Sequence, residues 1–236
     1  MRVSSNFKIR KSGDRGGADH GWLKAKHSFS FAEYQDTEYI QYRSMRVLNE
    51  DRIAGGQGFP MHPHKDMEIV TYILSGSLKH EDNMGNSAII RPGDAQRMSA
   101  GTGVVHSEFN PSQEETHLFQ IWFLPDKKGL PPGYEQKQIP EESKLNQLCL
   151  IASPTPDQYA VKIHQDAKIY ACVLETNKNV RFDTSNERHL WIQLASGSLE
   201  IDGHKINAGD GLSISAAQSI KIKATTNSEF LLFDFN

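Results

Sequence analysis

Ile69-Val70-Thr71-Tyr72-Ile73-Leu74-Ser75-Gly76-Ser77-Leu78 reads as a β-branched, aromatic strand that stops at a Ser-Gly-Ser turn and starts again. The same arrangement returns 121 positions later as Gln193-Leu194-Ala195-Ser196-Gly197-Ser198-Leu199. Further along each copy, Pro92-Gly93-Asp94 is answered by Ala208-Gly209-Asp210, 116 positions on. A strand, a Ser-Gly-Ser turn, a hairpin and a Gly-Asp turn thus occur twice in the same order, the mark of a duplicated unit.

Outward from these stretches the strand signals continue. His117-Leu118-Phe119-Gln120-Ile121-Trp122-Phe123-Leu124 has the make-up of a buried strand, and Ser219-Ile220-Lys221-Ile222-Lys223-Ala224 alternates as a half-buried one should. Asp202-Gly203, set between Leu199-Glu200-Ile201 and His204-Lys205-Ile206, is a two-residue hairpin signal. Helical periodicity is confined to a short turn expected between Pro140 and Leu148. The chain reads as all-β. Pro125, Pro131, Pro132 and Pro140, with Gly129 and Gly133, mark an extended linker. The expected division is a first domain at 1–124, a linker at 125–147 and a second domain at 148–236.

Composition narrows the function. The 236 residues carry 26 Lys and Arg against 29 Asp and Glu, a net charge of −3 with signs mixed along the chain. No basic stripe offers a nucleic-acid surface. Met1 to Arg10 holds no apolar run of signal-peptide length and no segment approaches a membrane span, so neither export nor a membrane partner is expected. Cys149 and Cys172 both sit in apolar runs and read as buried free thiols, which suits a reducing, cytoplasmic setting.

The chemistry concentrates in the first half, which holds seven of the ten histidines. His62-Pro63-His64 is followed 42 residues later by His106-Ser107-Glu108. On a strand, residues two apart project to the same face. Two such pairs on neighbouring strands would aim three imidazoles and a carboxylate at one point. That donor set suits a divalent first-row metal and leaves open positions in a six-coordinate shell. Glu68 is a fifth candidate, either as ligand or as an acceptor that orients a ligand imidazole; chemistry alone leaves Glu68 and Glu108 evenly matched. Shifting the first pair by 121 lands on Asp183 and Ser185, and the second by 116 on Ile222 and Ala224, so the second half lacks the cluster. Trp22, Phe29, Phe31 and Tyr34 are expected as core and barrel lid rather than substrate-stacking rings, and His20 and His27 as polar contacts at the site mouth.

These residues resemble a known family. Gly56, five residues, His62-Pro63-His64, three residues, Glu68 follows the first cupin motif, and Gly103-Val104-Val105-His106, three residues, Asn110 the second. Gly76 comes one residue later than that pattern, and Ser99 stands where many cupins have proline. Ala18-Asp19-His20-Gly21-Trp22-Leu23-Lys24, His27-Ser28-Phe29-Ser30-Phe31, His62 to Glu68 and Met98 to Glu108 resemble pirins, above all bacterial pirin-like quercetinases, over essentially the whole chain. The resemblance implies a bicupin, two double-stranded β-helix (jelly-roll) barrels with metal only in the first. It implies His62, His64, His106 and Glu108 as ligands and Glu68 outside the ligand set. Iron(II) is the implied metal, with Cu, Ni, Mn, Co or Zn as substitutes. The implied activity is a quercetinase-type dioxygenase that opens a flavonol ring with O₂ and releases carbon monoxide, with Glu108 as proton acceptor and Glu68 in reserve. The other role known in the family is that of a metal- and redox-dependent protein-binding regulator. A monomer is expected, with room for a protein partner.

Overall fold

The computed structural model describes residues 6–236, so the first five residues of the expected 1–124 domain, and of the Met1 to Arg10 reading, lie outside the described residues. Regular structure among them is almost all strand. The exceptions are one α-helical turn at Glu141–Lys144, where a short turn was expected, and a 3-10 turn at Ser12–Asp14. No helix is long and apolar enough to cross a membrane.

Two units emerge. One comprises Gly16–Ile139 with Ser153–Gln165, and the other the residues up to Arg15 with Pro140–Ala152 and Asp166–Asn236. The boundaries differ from 1–124, 125–147 and 148–236 because backbone pairing crosses those cuts. Asn6–Arg10 pairs with Gly211–Ser215 and so joins the second unit. Gly133–Gln138, inside the supposed linker, pairs along its whole length with Asp94–Ser99 of the first. An edge strand needs a partner for its N–H and C=O groups, and local sequence does not say which distant strand supplies it.

In the first unit the longer sheet runs Gly133–Gln138, Asp94–Ser99, Glu68–Ser75, Thr116–Phe123, Met45–Ile53, Leu23–His27, Gly16–Asp19. Its four-stranded companion runs Gly58–His64, Val104–Phe109, Leu78–Asp82, Ser87–Ile90. The second unit repeats the plan: Asn6–Arg10, Gly211–Ser215, His189–Ser196, Ser228–Phe235, Ala167–Leu174, Cys149–Ser153 in one sheet, and Asn179–Asp183, Ser219–Ala224, Ser198–Ile201, His204–Asn207 in the other. Pairing is antiparallel throughout these runs, and each unit is the double-sheet jelly roll expected of a cupin. Side chains of both sheets meet in each core: Ile53, Ile73 and Leu118 with Leu78 and Ile90 in the first, Leu190, Leu212 and Phe230 with Leu199 and Ile220 in the second.

The repeated Ser-Gly-Ser turn has a steric cause. Gly76 and Gly197 adopt φ of +79° and +84°, and a Cβ at either would strike the strand crossing beneath, at Thr116 or at Asn227 and Ser228. Asp202 and Gly203 take φ of 45° and 86°, the left-handed pair of a tight hairpin.

Candidate metal centre

The strand Gly58–His64 lies at the edge of its sheet, which is why it tolerates Pro60 and Pro63. Its register with Val104–Phe109 sets His62 opposite His106 and His64 opposite Val104, then slips so that Glu108 faces Phe59. The slip is a bulge at Pro60-Met61, the kind of irregularity that re-aims side chains beside a site. Gly58 makes the close approach possible, since a Cβ there would collide with the Glu108 backbone.

The register brings three histidines together. Ring centroids of His62, His64 and His106 lie 4.5 to 4.9 Å apart, and their available nitrogens are all within 4.8 Å of one another. His62 Nδ1 donates to the Pro60 carbonyl at 2.7 Å, which leaves Nε2 with its lone pair free. His106 Nε2 is buried with no hydrogen-bond partner, a cost that a bound cation would remove. Burial, then the neighbouring His62, lowers the His64 pKa to about 4. Burial, followed by His62, His64 and His80, takes His106 to about 2. Both are therefore neutral at pH 7, the state in which imidazole binds metal.

Glu108 is 4% exposed and points into the same cavity. Both its oxygens accept from Gln120 Nε2, at 2.8 and 2.6 Å. Burial pushes its carboxyl up to about 7 despite the lowering effect of the Gln120 and Thr71 hydrogen bonds. His80, His106 and Glu108 form a second group close enough to share an ion. His80, however, is already engaged through Nε2 by Asp82 at 3.1 Å. Burial lowers the His80 pKa against the raising effect of Asp82, keeping the ring neutral.

Glu68 is placed elsewhere. Its Oε2 accepts from the His164 backbone N–H at 3.0 Å and contacts His164 Nδ1 at 3.1 Å, and it does not line the cavity. The alternation of the strand Glu68–Ser75 explains this: Ile69 and Thr71 face the cavity side, where Thr71 meets Gln120, so Glu68 faces the other way. The structure gives Glu68 neither a cavity position as reserve base nor a hydrogen bond to any of the three clustered histidines.

A cavity of about 200 Å³ opens above the histidines. Leu23, Ala25, Phe31, Phe59, Ile69 and Trp122 make its apolar wall, and His27, Asn49 and Asp51 add polar groups to the lining. His27 Nδ1 and Asn49 Oδ1 are 2.9 Å apart. Of the aromatic run, Phe29 is core as expected, while Phe31 lines the cavity edge-on to Trp122 at 5.5 Å. Trp22 packs edge-on against Phe59 at 5.2 Å, and Tyr34 lies 6.4 Å from His27. His27 reaches the cavity, and His20 is exposed outside it. Sequence reasoning passed over Asn49, Asp51, His80 and Asp82. A signal existed for the last two, since His80 and Asp82 have the same one-residue spacing on a strand as His62 and His64.

Comparison with known proteins agrees with this geometry. The Pirin family matches residues 7–123, and the quercetinase C-terminal cupin domain matches residues 150–235. The quercetin 2,3-dioxygenase of Escherichia coli (strain K12) is 44% identical over 227 residues, covering 96% of this chain and 97% of its own length. A pirin-like protein of Caulobacter vibrioides is 40% identical, covering 95% and 98%. The crystal structure of the E. coli bacterial pirin YhhW in complex with nickel(II) superposes with a TM-score of 0.92 at 43% identity, covering 98% of this chain and 99% of that one. On these matches over nearly its whole length, the chain belongs to the pirin family of bicupins.

Proposed function

We propose that the chain is a metal-dependent dioxygenase of the quercetinase type, in which His62, His64, His106 and Glu108 hold one divalent transition metal and the cavity above them takes a flavonol. The observation that carries this reading is the convergence of three imidazoles, one with an orphaned buried Nε2, beside a buried carboxylate in a largely apolar cavity. The name carried by the E. coli relative and the nickel(II) bound to YhhW support it. Iron(II) is the proposed native metal, and copper, nickel, manganese, cobalt or zinc would fit the same donors.

A bound divalent ion supplies a Lewis acid that favours ionisation of a coordinated hydroxyl. The chain's own groups do the rest. Leu23, Phe31, Phe59, Ile69 and Trp122 exclude water and flank a flat aromatic ligand. His27, Asn49 and Asp51 offer polar partners to its phenolic groups. Glu108 Oε takes the proton of the substrate hydroxyl, being the carboxylate that lines the cavity beside the histidines. Gln120 holds that carboxylate in place by donating to both oxygens. The net reaction opens the flavonol's central ring with O₂ and releases carbon monoxide.

Metal-loaded protein incubated with quercetin under air should bleach the flavonol and evolve carbon monoxide. Absence of turnover with iron, copper, nickel, manganese and cobalt alike would reject the enzyme reading in favour of a metal-dependent binding role.

A further inference from the structure

Asp82, His80 and His106 stand in line behind the histidine cluster. His80 Nε2 lies 3.1 Å from Asp82 Oδ2, and His80 Nδ1 lies 3.3 Å from His106 Nδ1. The side chains of His80 and Asp82 are fully buried, and His106 is 1% exposed. Tyr134, from the strand Gly133–Gln138, covers the His80 ring at 4.7 Å. Asp82 is itself clamped: its Oδ1 accepts from the backbone N–H groups of Met84 and Asn86, and its Oδ2 from Asn86 Nδ2 at 2.9 Å.

With both rings neutral, one placement of protons satisfies the line. A carboxylate accepts and cannot donate, so His80 Nε2 must carry its proton. A neutral His80 then has a bare Nδ1, which can face His106 Nδ1 only if that nitrogen carries a proton. His106 is left with a lone pair on Nε2, the buried atom without a protein partner. The opposite arrangement would set the bare His80 Nε2 against a carboxylate and leave an unsatisfied His106 N–H.

We propose that Asp82 and His80 are positioning residues that fix the tautomer and ring orientation of His106, presenting its Nε2 unprotonated to the metal. The proposal rests on His106 being a ligand, as read above. The usual device of this kind is one carboxylate or carbonyl behind a ligand histidine. Here a second imidazole is inserted between them, and it ties the metal's base to the hairpin turn Asp82–Asn86.

The test uses the full-length protein with nickel(II) titrated into the metal-free form, and copper(II) as a spectroscopic probe. His80→Phe keeps a ring under Tyr134 and removes the acceptor. It should weaken nickel binding by about 10- to 100-fold. His80→Gln, which can still accept from His106 Nδ1–H and donate to Asp82, should recover most of that loss, and Asp82→Asn should fall between. Pulsed EPR of the copper(II) protein should count three coordinated imidazoles in wild type and in His80→Phe alike. The signature of one remote imidazole nitrogen should change, since that nucleus senses its own hydrogen bond. Leu78→Val, a core change on the same strand, should leave that signature unmoved. An imidazole count that drops in His80→Phe would make His80 a ligand and overturn the proposal. Wild-type affinity and spectrum in both His80→Phe and Asp82→Asn would overturn it with the metal reading intact. Wild-type protein that takes up no nickel would overturn both. Should His80→Phe not fold, Asp82→Asn decides alone.

Discussion

The two barrels share a plan and differ in what fills them. In the first, the facing pair His62–His106 sits where the second has Val180–Ile222, and His64–Val104 where the second has Phe182–Ile220. Glu108 is matched by Ala224, and the Thr71–Gln120 pair by Ile192–Leu232. Every one of these second-barrel residues belongs to its apolar core. The strand Ser198–Ile201 likewise sets Leu199 against Ala224 and Ile201 against Ile222, where the first barrel sets His80 against Glu108 and Asp82 against His106. Each such aliphatic side chain contributes roughly 1.5–3 kcal/mol on burial. The second barrel therefore fills these positions with apolar packing. The first instead buries imidazoles and a carboxylate that packing does not compensate, and a metal would.

That contrast can be broken at either barrel. The largest effect is expected from His62→Ala with His106→Ala, which removes two of the proposed ligands. Elemental analysis should fall from about one metal ion per chain to background, and metal retained by the double variant would place the site elsewhere. Next comes Ile222→His, which sets the first barrel's residue into the second barrel's core. With no hydrogen-bond partner or metal to meet, it should cost about 3–5 kcal/mol in denaturant unfolding. An unchanged midpoint would mean that the second barrel tolerates a buried imidazole after all.

Gln120→Leu sharpens the comparison in the other direction, because the second barrel has Leu232 at the paired position. Losing both hydrogen bonds to Glu108 should weaken nickel binding about tenfold by calorimetry. Equal affinity would show that Glu108 needs no orienting partner. The smallest effect concerns Cys172, whose thiol burial pushes up to about 12 from an ordinary 9. The folded unit favours the neutral thiol, so this contribution to stability is whole below pH 9 and is lost as pH rises from there toward 12. Iodoacetamide at pH 9 should leave native Cys172 unmodified and label it after unfolding; rapid native labelling would contradict its burial.

Much of this was legible in the chain. Strand alternation around Ile220, the Asp202-Gly203 hairpin and the duplicated Ser-Gly-Ser turn are local signals with local causes, and each appears where its residues placed it. The one-residue spacing of His62 and His64 and of His106 and Glu108 was enough to suggest a shared face. A constant offset was less reliable. Shifting by 121 pointed at Asp183 and Ser185, whereas the observed register sets Val180 and Phe182 opposite Ile222 and Ile220. Loop lengths differ between the copies, so only hydrogen-bonded pairing identifies the equivalent residues.

Sequence alone thus determined the all-β class, the doubling, and the side chains able to bind a metal, because residue type and period-two spacing act over a few positions. Tertiary structure decided the rest. It turned Glu68 toward His164 and Glu108 toward Gln120, carried Asn6–Arg10 into the second barrel, and set Asp82 and His80 behind His106. Each of these outcomes depends on which distant strand satisfies a backbone edge or a buried polar atom, and no local stretch of residues encodes that partner.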